Sequence, residues 1–184
     1  MAVILNASTT AGLVTSADTS GNLDLQAGGV TKIAVTSAGV AVTGLAKASL
    51  PTGSVLQVVN STWATTVANS STSYVTTNLT ATITPTSATS KILINFSLPT
   101  AGGGQSMAVT VFRGTTAGTN LAGGSGVAST TPSTYALSSA TIFDSPATTS
   151  AQVYTVAFKQ LTAGTGYAFY NGEMGTITLM EIAA

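Results

Sequence analysis

Apolar side chains recur at every second position through much of the latter part of the chain. In Ser90–Leu98 this alternation puts Ile92, Ile94, Phe96 and Leu98 on one face, and in Gln152–Gln160 it groups Tyr154, Val156 and Phe158. A two-residue period marks a half-buried strand. In Gly175–Ile182, Ile177, Leu179 and Glu181 oppose Met180 and Ile182, so both faces are expected to be partly covered. No window carries apolar residues at i, i+3, i+4 and i+7 with charge opposite, which is the helical pattern. β-Branched residues, Thr above all, fit a pleated strand better than a helix. The pattern predicts an all-β chain.

The strands fall into two groups. Residues 1–46 carry short ones at Gly12–Thr15, Asn22–Gln26, Val30–Thr36 and Val40–Gly44, joined by turns at Asp18–Gly21, Ala27–Gly29 and Ser37–Gly39. Strands of about five residues bury little alone, so this arm is expected to pack on something else. Residues 47–52, which include Pro51, read as a linker. Residues 53–184 carry longer candidates: Ser54–Asn60, Trp63–Ala68, Tyr74–Thr84, Lys91–Leu98, Ser106–Arg113, Thr134–Leu137, Thr141–Asp144, Ala151–Leu161, Tyr167–Tyr170 and Gly175–Ile182. So many antiparallel strands between Ser/Thr/Gly/Pro turns predict a jelly-roll-like β-sandwich. Gly102–Gln105 and Gly114–Gly126 read as its long, flexible loops.

Composition changes what such a fold can do. Charged residues make up 5% of the 184 positions, five basic and five acidic, with no His and no Cys; an ordinary soluble domain has about 25%. A Ser-His-Asp or Cys-His nucleophile and a His/Cys zinc site are therefore excluded. Five cations against five anions give no basic surface for nucleic acid. Apolar runs such as Ile92-Leu93-Ile94 are far shorter than the roughly 20 residues of a membrane helix. Met1–Asn6 lacks the basic start of a signal peptide.

The remaining chemical signals favour plain structural readings. In Asp18–Asp24 the glycine stands three residues after Asp18, one too far for an aspartic-protease motif, and too early for a calcium loop. No Gly-Lys-Ser/Thr follows the glycine clusters, so they form no phosphate cradle. A glycosidase pair would have to come from Asp18, Asp24, Asp144, Glu173 and Glu181. Asp144 precedes Ser145-Pro146, and Glu173 follows Asn171-Gly172, so both read as turn residues. Asn-X-Ser/Thr occurs at Asn6, Asn60, Asn69, Asn78 and Asn95, which follows from the abundance of Ser and Thr. Trp63 and Tyr167-Ala168-Phe169-Tyr170 suit either sugar stacking or packing, and packing is the commoner use. No Thr-X-Thr repeat of fixed spacing marks an ice-binding face. No catalytic, cofactor-binding or metal-ligating residue is assigned, and the chain is not expected to be an enzyme.

Two stretches carry a resemblance. Ser8–Gly21 with Leu23–Gly29 resembles N-terminal modules of tailed-phage fibre and other virion surface proteins. Gly53–Val59, Thr72–Val75 and Ile83–Ile94 resemble a β-domain of marine and cyanobacterial phage virion proteins. The resemblance implies a homotrimer on the virion surface, with the arm at 1–46 for attachment or interlock and the β-domain facing outward. It implies partners within the virion, the major capsid protein first, assembly in the host cytoplasm and no cofactor. Brevity favours a capsid decoration (cement) protein. The alternative is a short tail fibre or tip that binds host surface polysaccharide through the loops at Gly102–Gln105 and Gly114–Gly126. Three-fold wrapping agrees with a chain that has few charges to guard its sheet edges.

Overall fold

The computed structural model describes residues 23–27, 29–42, 50–102, 104, 106–130 and 135–184. The predicted strand at Gly12–Thr15 and the turn at Asp18–Gly21 lie outside them. The chain divides into two compact units between Ala46 and Lys47.

The first unit holds an antiparallel sheet of β1 (Leu23–Ala27), β2 (Val30–Thr36) and β3 (Gly39–Val42). Turns at Gly29 and Gly39 use positive φ, 75° and 128°, which glycine adopts without strain. Register sets Leu25 beside Ile33 and Ile33 beside Val42, while Val35 faces Val40. One face of this sheet is therefore wholly apolar at these positions. It is also open: Val40 is 65% exposed and Val42 49%.

The second unit is a β-sandwich with no α-helix among the described residues. Its strands are β4 (Val55–Trp63), β5 (Val67–Asn69), β6 (Val75–Ile83), β7 (Lys91–Gly102), β8 (Met107–Arg113), β9 (Thr119–Asn120), β10 (Ala128–Thr130), β11 (Tyr135–Asp144), β12 (Gln152–Gln160), β13 (Gly166–Ala168) and β14 (Gly175–Ile182). Every pairing is antiparallel. In the first sheet, β7 pairs with β11 along one edge and with β14 and then β13 along the other. Beyond these, β4 pairs with β14 and β5 with β13. In the second sheet β12 lies between β6 and β8, and β8 pairs with β9 and β10.

The core lies between the sheets. Ile92, Ile94, Phe96 and Leu98 from β7, with Ile177 and Leu179 from β14, meet Tyr154, Val156 and Phe158 from β12 and Leu79 from β6, all fully buried. The two-residue period thus delivers the predicted faces. Several boundaries differ. The predicted strands Thr134–Leu137 and Thr141–Asp144 are one continuous β11, paired with β7 across Ser138–Ala140. Gly114–Gly126 is tied down rather than loose: Leu121 N donates to Val111 O, Val127 N to Val109 O, and Asn120 Nδ2 to Gly123 O. These bonds create β9 along the edge of β8.

The strand formed by β13 and β14 is interrupted. Phe169 and Asn171 both take left-handed φ, 55° and 57°, around a short 3-10 turn at Tyr170–Gly172. Phe169 N donates to Pro99 O, Thr66 Oγ1 donates to Phe169 O at 2.8 Å, and the Phe169 ring is fully buried. A Cβ on Gly175 would run into that ring, so the chain re-enters the sheet at a glycine.

Phe96 lies at the centre of β7 with no exposed surface. Phe96→Ala is expected to lower unfolding stability by about 3–5 kcal/mol, read as a fall in the urea midpoint at unchanged slope.

Candidate functional site

The titratable groups form two structural clusters. Asp144 is not a turn residue: it ends β11, is buried at 9% exposure, and points between the sheets. The Ser-Pro that follows it is a local turn signal, whereas its partners come from the opposite sheet. Arg113 Nη1 donates to both carboxylate oxygens at 3.2 and 3.1 Å, and Tyr154 Oη donates to Oδ2 at 2.7 Å. Burial, then the hydrogen bond and charge of Asp144, push the Tyr154 hydroxyl far above its ordinary range. This cluster clamps one sheet to the other.

Glu181 is fully buried. It accepts from Gln57 Nε2 at 2.6 Å, Thr86 N at 2.6 Å and Thr86 Oγ1 at 2.7 Å, while Gln57 also donates to Thr84 O. Burial by itself raises the carboxyl's pKa, but the hydrogen bonds from Thr86 and Gln57 outweigh it and hold the group below its ordinary 4.5. The carboxylate thereby fixes the β6–β7 connection over one end of the sandwich. Asp144 and Glu181 stand in one inward row on either side of Ile92. Each is held by its own donors, so these two do not stand as a free carboxylate pair. Glu173 lies exposed after the 3-10 turn, and Asp24 is exposed on β1; Asp18 is outside the described residues. No group of three His, Cys, Asp or Glu able to hold a metal occurs among the described residues.

The aromatic segment divides between core and surface. Phe169 is core, while Tyr170 packs at ring-centroid distances of 5.2 Å from Tyr167 and 5.9 Å from Tyr135. Asn171 Nδ2 donates to Tyr135 Oη at 3.0 Å. Beside them an open groove of about 510 Å³ is lined by Pro99, Tyr135, Ala136, Leu137, Glu173 and Met174. Trp63 stands apart, its indole N–H donating to Thr65 O. Among the Asn-X-Ser/Thr positions, Asn69 is buried and donates to Phe158 O.

Cross-strand register arranges the outer face of the first sheet in transverse rows. Val58, Met180, Leu93 and Phe143 form an apolar row across all four strands. The next is Asn60, Thr178, Asn95 and Thr141, in which Asn60 donates to Thr178 and Asn95 to Thr141, both at 2.9 Å. Thr62, Thr176, Ser97 and Ser139 follow. None of these twelve residues is charged. Such rows have no trace in the linear sequence, because they depend on register between distant strands.

No protein-family model matches this chain, and no curated protein matches it.

Because the folded Glu181 titrates below its unfolded value, its stabilisation is present above pH 4.5 and is lost as pH falls through the folded pKa. Glu181→Gln, which removes the charge and, with its oxygen kept on Thr86, sets an amide nitrogen against the Gln57 Nε2 donor, is expected to cost about 1–3 kcal/mol at neutral pH. The difference from wild type should shrink on acidification, measured by urea unfolding across the acid range. Tyr154→Phe should cost about 1–2 kcal/mol through the lost Asp144 hydrogen bond, with no dependence on pH near neutrality.

Proposed function

We propose that the chain is a non-enzymatic structural protein of a tailed-phage virion: a homotrimeric capsid decoration protein, assembled in the host cytoplasm, whose arm grips the major capsid protein and whose sandwich faces outward. One observation carries the attachment role. The three-stranded sheet of the first unit exposes an apolar face, with Val40 at 65%, Val42 at 49%, Leu25 at 40% and Val35 at 38%. A surface of this kind, on strands that bury almost nothing themselves, needs a partner to cover it. Covering it on the capsid stabilises the head by mass action, because only the folded lattice offers the complementary seam.

The sandwich supports the same reading at the level of fold. Counting β4 with β5, β9 with β10 and β13 with β14 as single strands gives eight, in the orders 1-8-3-6 and 5-4-7-2. First then pairs with eighth, second with seventh, third with sixth and fourth with fifth, which is a long hairpin rolled into two sheets. This order supports a jelly-roll reading, an architecture shared by viral capsid and lectin domains. Fold supports role by analogy, and the resemblance of both segments to phage virion proteins supports it separately.

The tyrosine groove favours a second reading, a short tail fibre or tip that binds host surface polysaccharide. Exposed rings beside an amide and a carboxylate suit the faces and hydroxyls of a sugar.

Val40→Asp with Val42→Asp should abolish binding of the purified protein to stripped heads, measured by co-sedimentation, while leaving the sandwich folded. Heads stripped of the protein should melt and release genome at lower temperature; unchanged melting and retention argue against decoration. Antibody label at the tail, with adsorption blocked by free protein, would favour the fibre.

A further inference from the structure

Asn171 alone among the asparagines of this chain is followed by glycine. In that pair an asparagine side chain reacts most readily with its own backbone, because glycine sets no Cβ beside the attacking amide and leaves the chain free to turn. The two reacting atoms are the Asn171 side-chain carbonyl carbon, Cγ, and the Gly172 backbone nitrogen. Their placement decides whether the reaction runs.

The turn holds them apart. Asn171 is left-handed, at φ 57° and ψ 22°. In an L residue this conformation brings Cβ toward the residue's own carbonyl oxygen and turns the next nitrogen away from it. Ring closure needs that nitrogen swung round to the Cβ side. Three hydrogen bonds resist the swing: Gly172 N donates to Phe169 O at 3.0 Å, Glu173 N to Tyr170 O at 3.4 Å, and Asn171 Nδ2 to Tyr135 Oη at 3.0 Å. The first engages the attacking N–H itself, and the last engages the amide that would leave. Phe169 is in turn fixed by its buried ring and by the bond from Thr66 Oγ1. The acceptor of the first bond is thus anchored outside the turn.

We infer that Asn171 is a site of spontaneous deamidation, kept latent by the 3-10 turn that carries it and activated when that turn opens. In the open turn the Gly172 nitrogen gives up its proton to solvent and bonds to Asn171 Cγ. The Cγ–Nδ2 bond breaks, and Nδ2 takes a proton and leaves as ammonia. One water then opens the five-membered imide. Breaking its Cγ–N bond leaves aspartate; breaking its bond to the backbone carbonyl carbon leaves isoaspartate, with the main chain routed through the side chain. The balance is one water in, one ammonia out and no change of oxidation state. Either product adds a carboxylate two residues from Glu173. Isoaspartate also lengthens the main chain by a carbon, inside a turn whose flanking strands are both paired to β7. The change is one-way, so a turn that has reacted does not return to its first closed form. None of this depends on the virion role.

The test uses the full chain, folded in mildly alkaline buffer or unfolded in urea at the same pH. The peptide containing Asn171 is followed by mass spectrometry, with isoaspartyl methyltransferase labelling to count the rearranged product. The folded protein reacts only through its open fraction, so Asn171 should convert about tenfold or more slowly folded than in urea. Tyr135→Phe removes the acceptor oxygen and keeps the ring; it should speed folded-state conversion about two- to tenfold and leave the rate in urea unchanged. Equal folded and unfolded rates in wild type overturn the latch. A folded Tyr135→Phe no faster than wild type overturns the part given to the tyrosine. Earlier conversion at Asn60 or Asn69 in the folded chain, or none at Asn171 even in urea, overturns the site. Should Tyr135→Phe unfold, Thr66→Val reads the same latch from the Phe169 side, faster conversion supporting it and an unchanged rate overturning it.

Discussion

The sandwich depends on one strand being paired along both edges. β7 contributes twelve residues, bonded to β11 on one side and to β14 and β13 on the other. Its inward residues Ile92, Ile94, Phe96 and Leu98 have no exposed surface. A strand held this way cannot slip by one residue without turning that whole set outward. The registers of its neighbours follow from its own, and so do the inward position of Asp144 and Glu181 and the outward rows of Asn and Thr.

In a chain with so little charge, Arg113, Asp144, Lys159 and Glu181 act as fixed points. Asp144 joins the sheets through Arg113 and Tyr154, and Glu181 holds the β6–β7 connection through Thr86 and Gln57. Lys159 works in the same way on the second sheet, its ammonium 4.7 Å from the centre of the Tyr74 ring and bonded to Gly124 O at 2.7 Å. Tyr74 packs edge-on against Phe112, so this cation also pins the glycine-rich segment over β8. Elsewhere the polar work falls to Ser, Thr, Asn and Gln. These residues satisfy backbone groups locally, as Thr77 does for Val156 O, without adding net charge to either outer face.

What was legible in the sequence was what depends on neighbours in the chain. The strand period gave the inner faces of β7 and β12, and Gly-containing turns gave the hairpins of the first unit. Features that depend on distant partners were hidden. Asp144 looked like a turn residue because Ser-Pro follows it, while Arg113 lies 31 positions away. Ser138–Ala140 looked like a break because small residues carry no apolar signal, yet β7 supplies the pairing. β9 and β10 were concealed among glycines whose conformation is set by bonds to β8. The outer rows of the first sheet depend on the complete pairing scheme.

The interruption between β13 and β14 has a bearing on how this chain can vary. Both flanking segments are anchored to the same partner strand, and Phe169 plugs the core at the point of departure. Tyr170–Met174 is therefore an excursion whose ends are fixed independently of its contents. Residues can be inserted, deleted or exchanged there without disturbing the registers on either side. Related chains would be expected to diverge in length and ring content at this bulge while keeping the surrounding ladder, which makes it the natural site for evolutionary retuning of surface contacts.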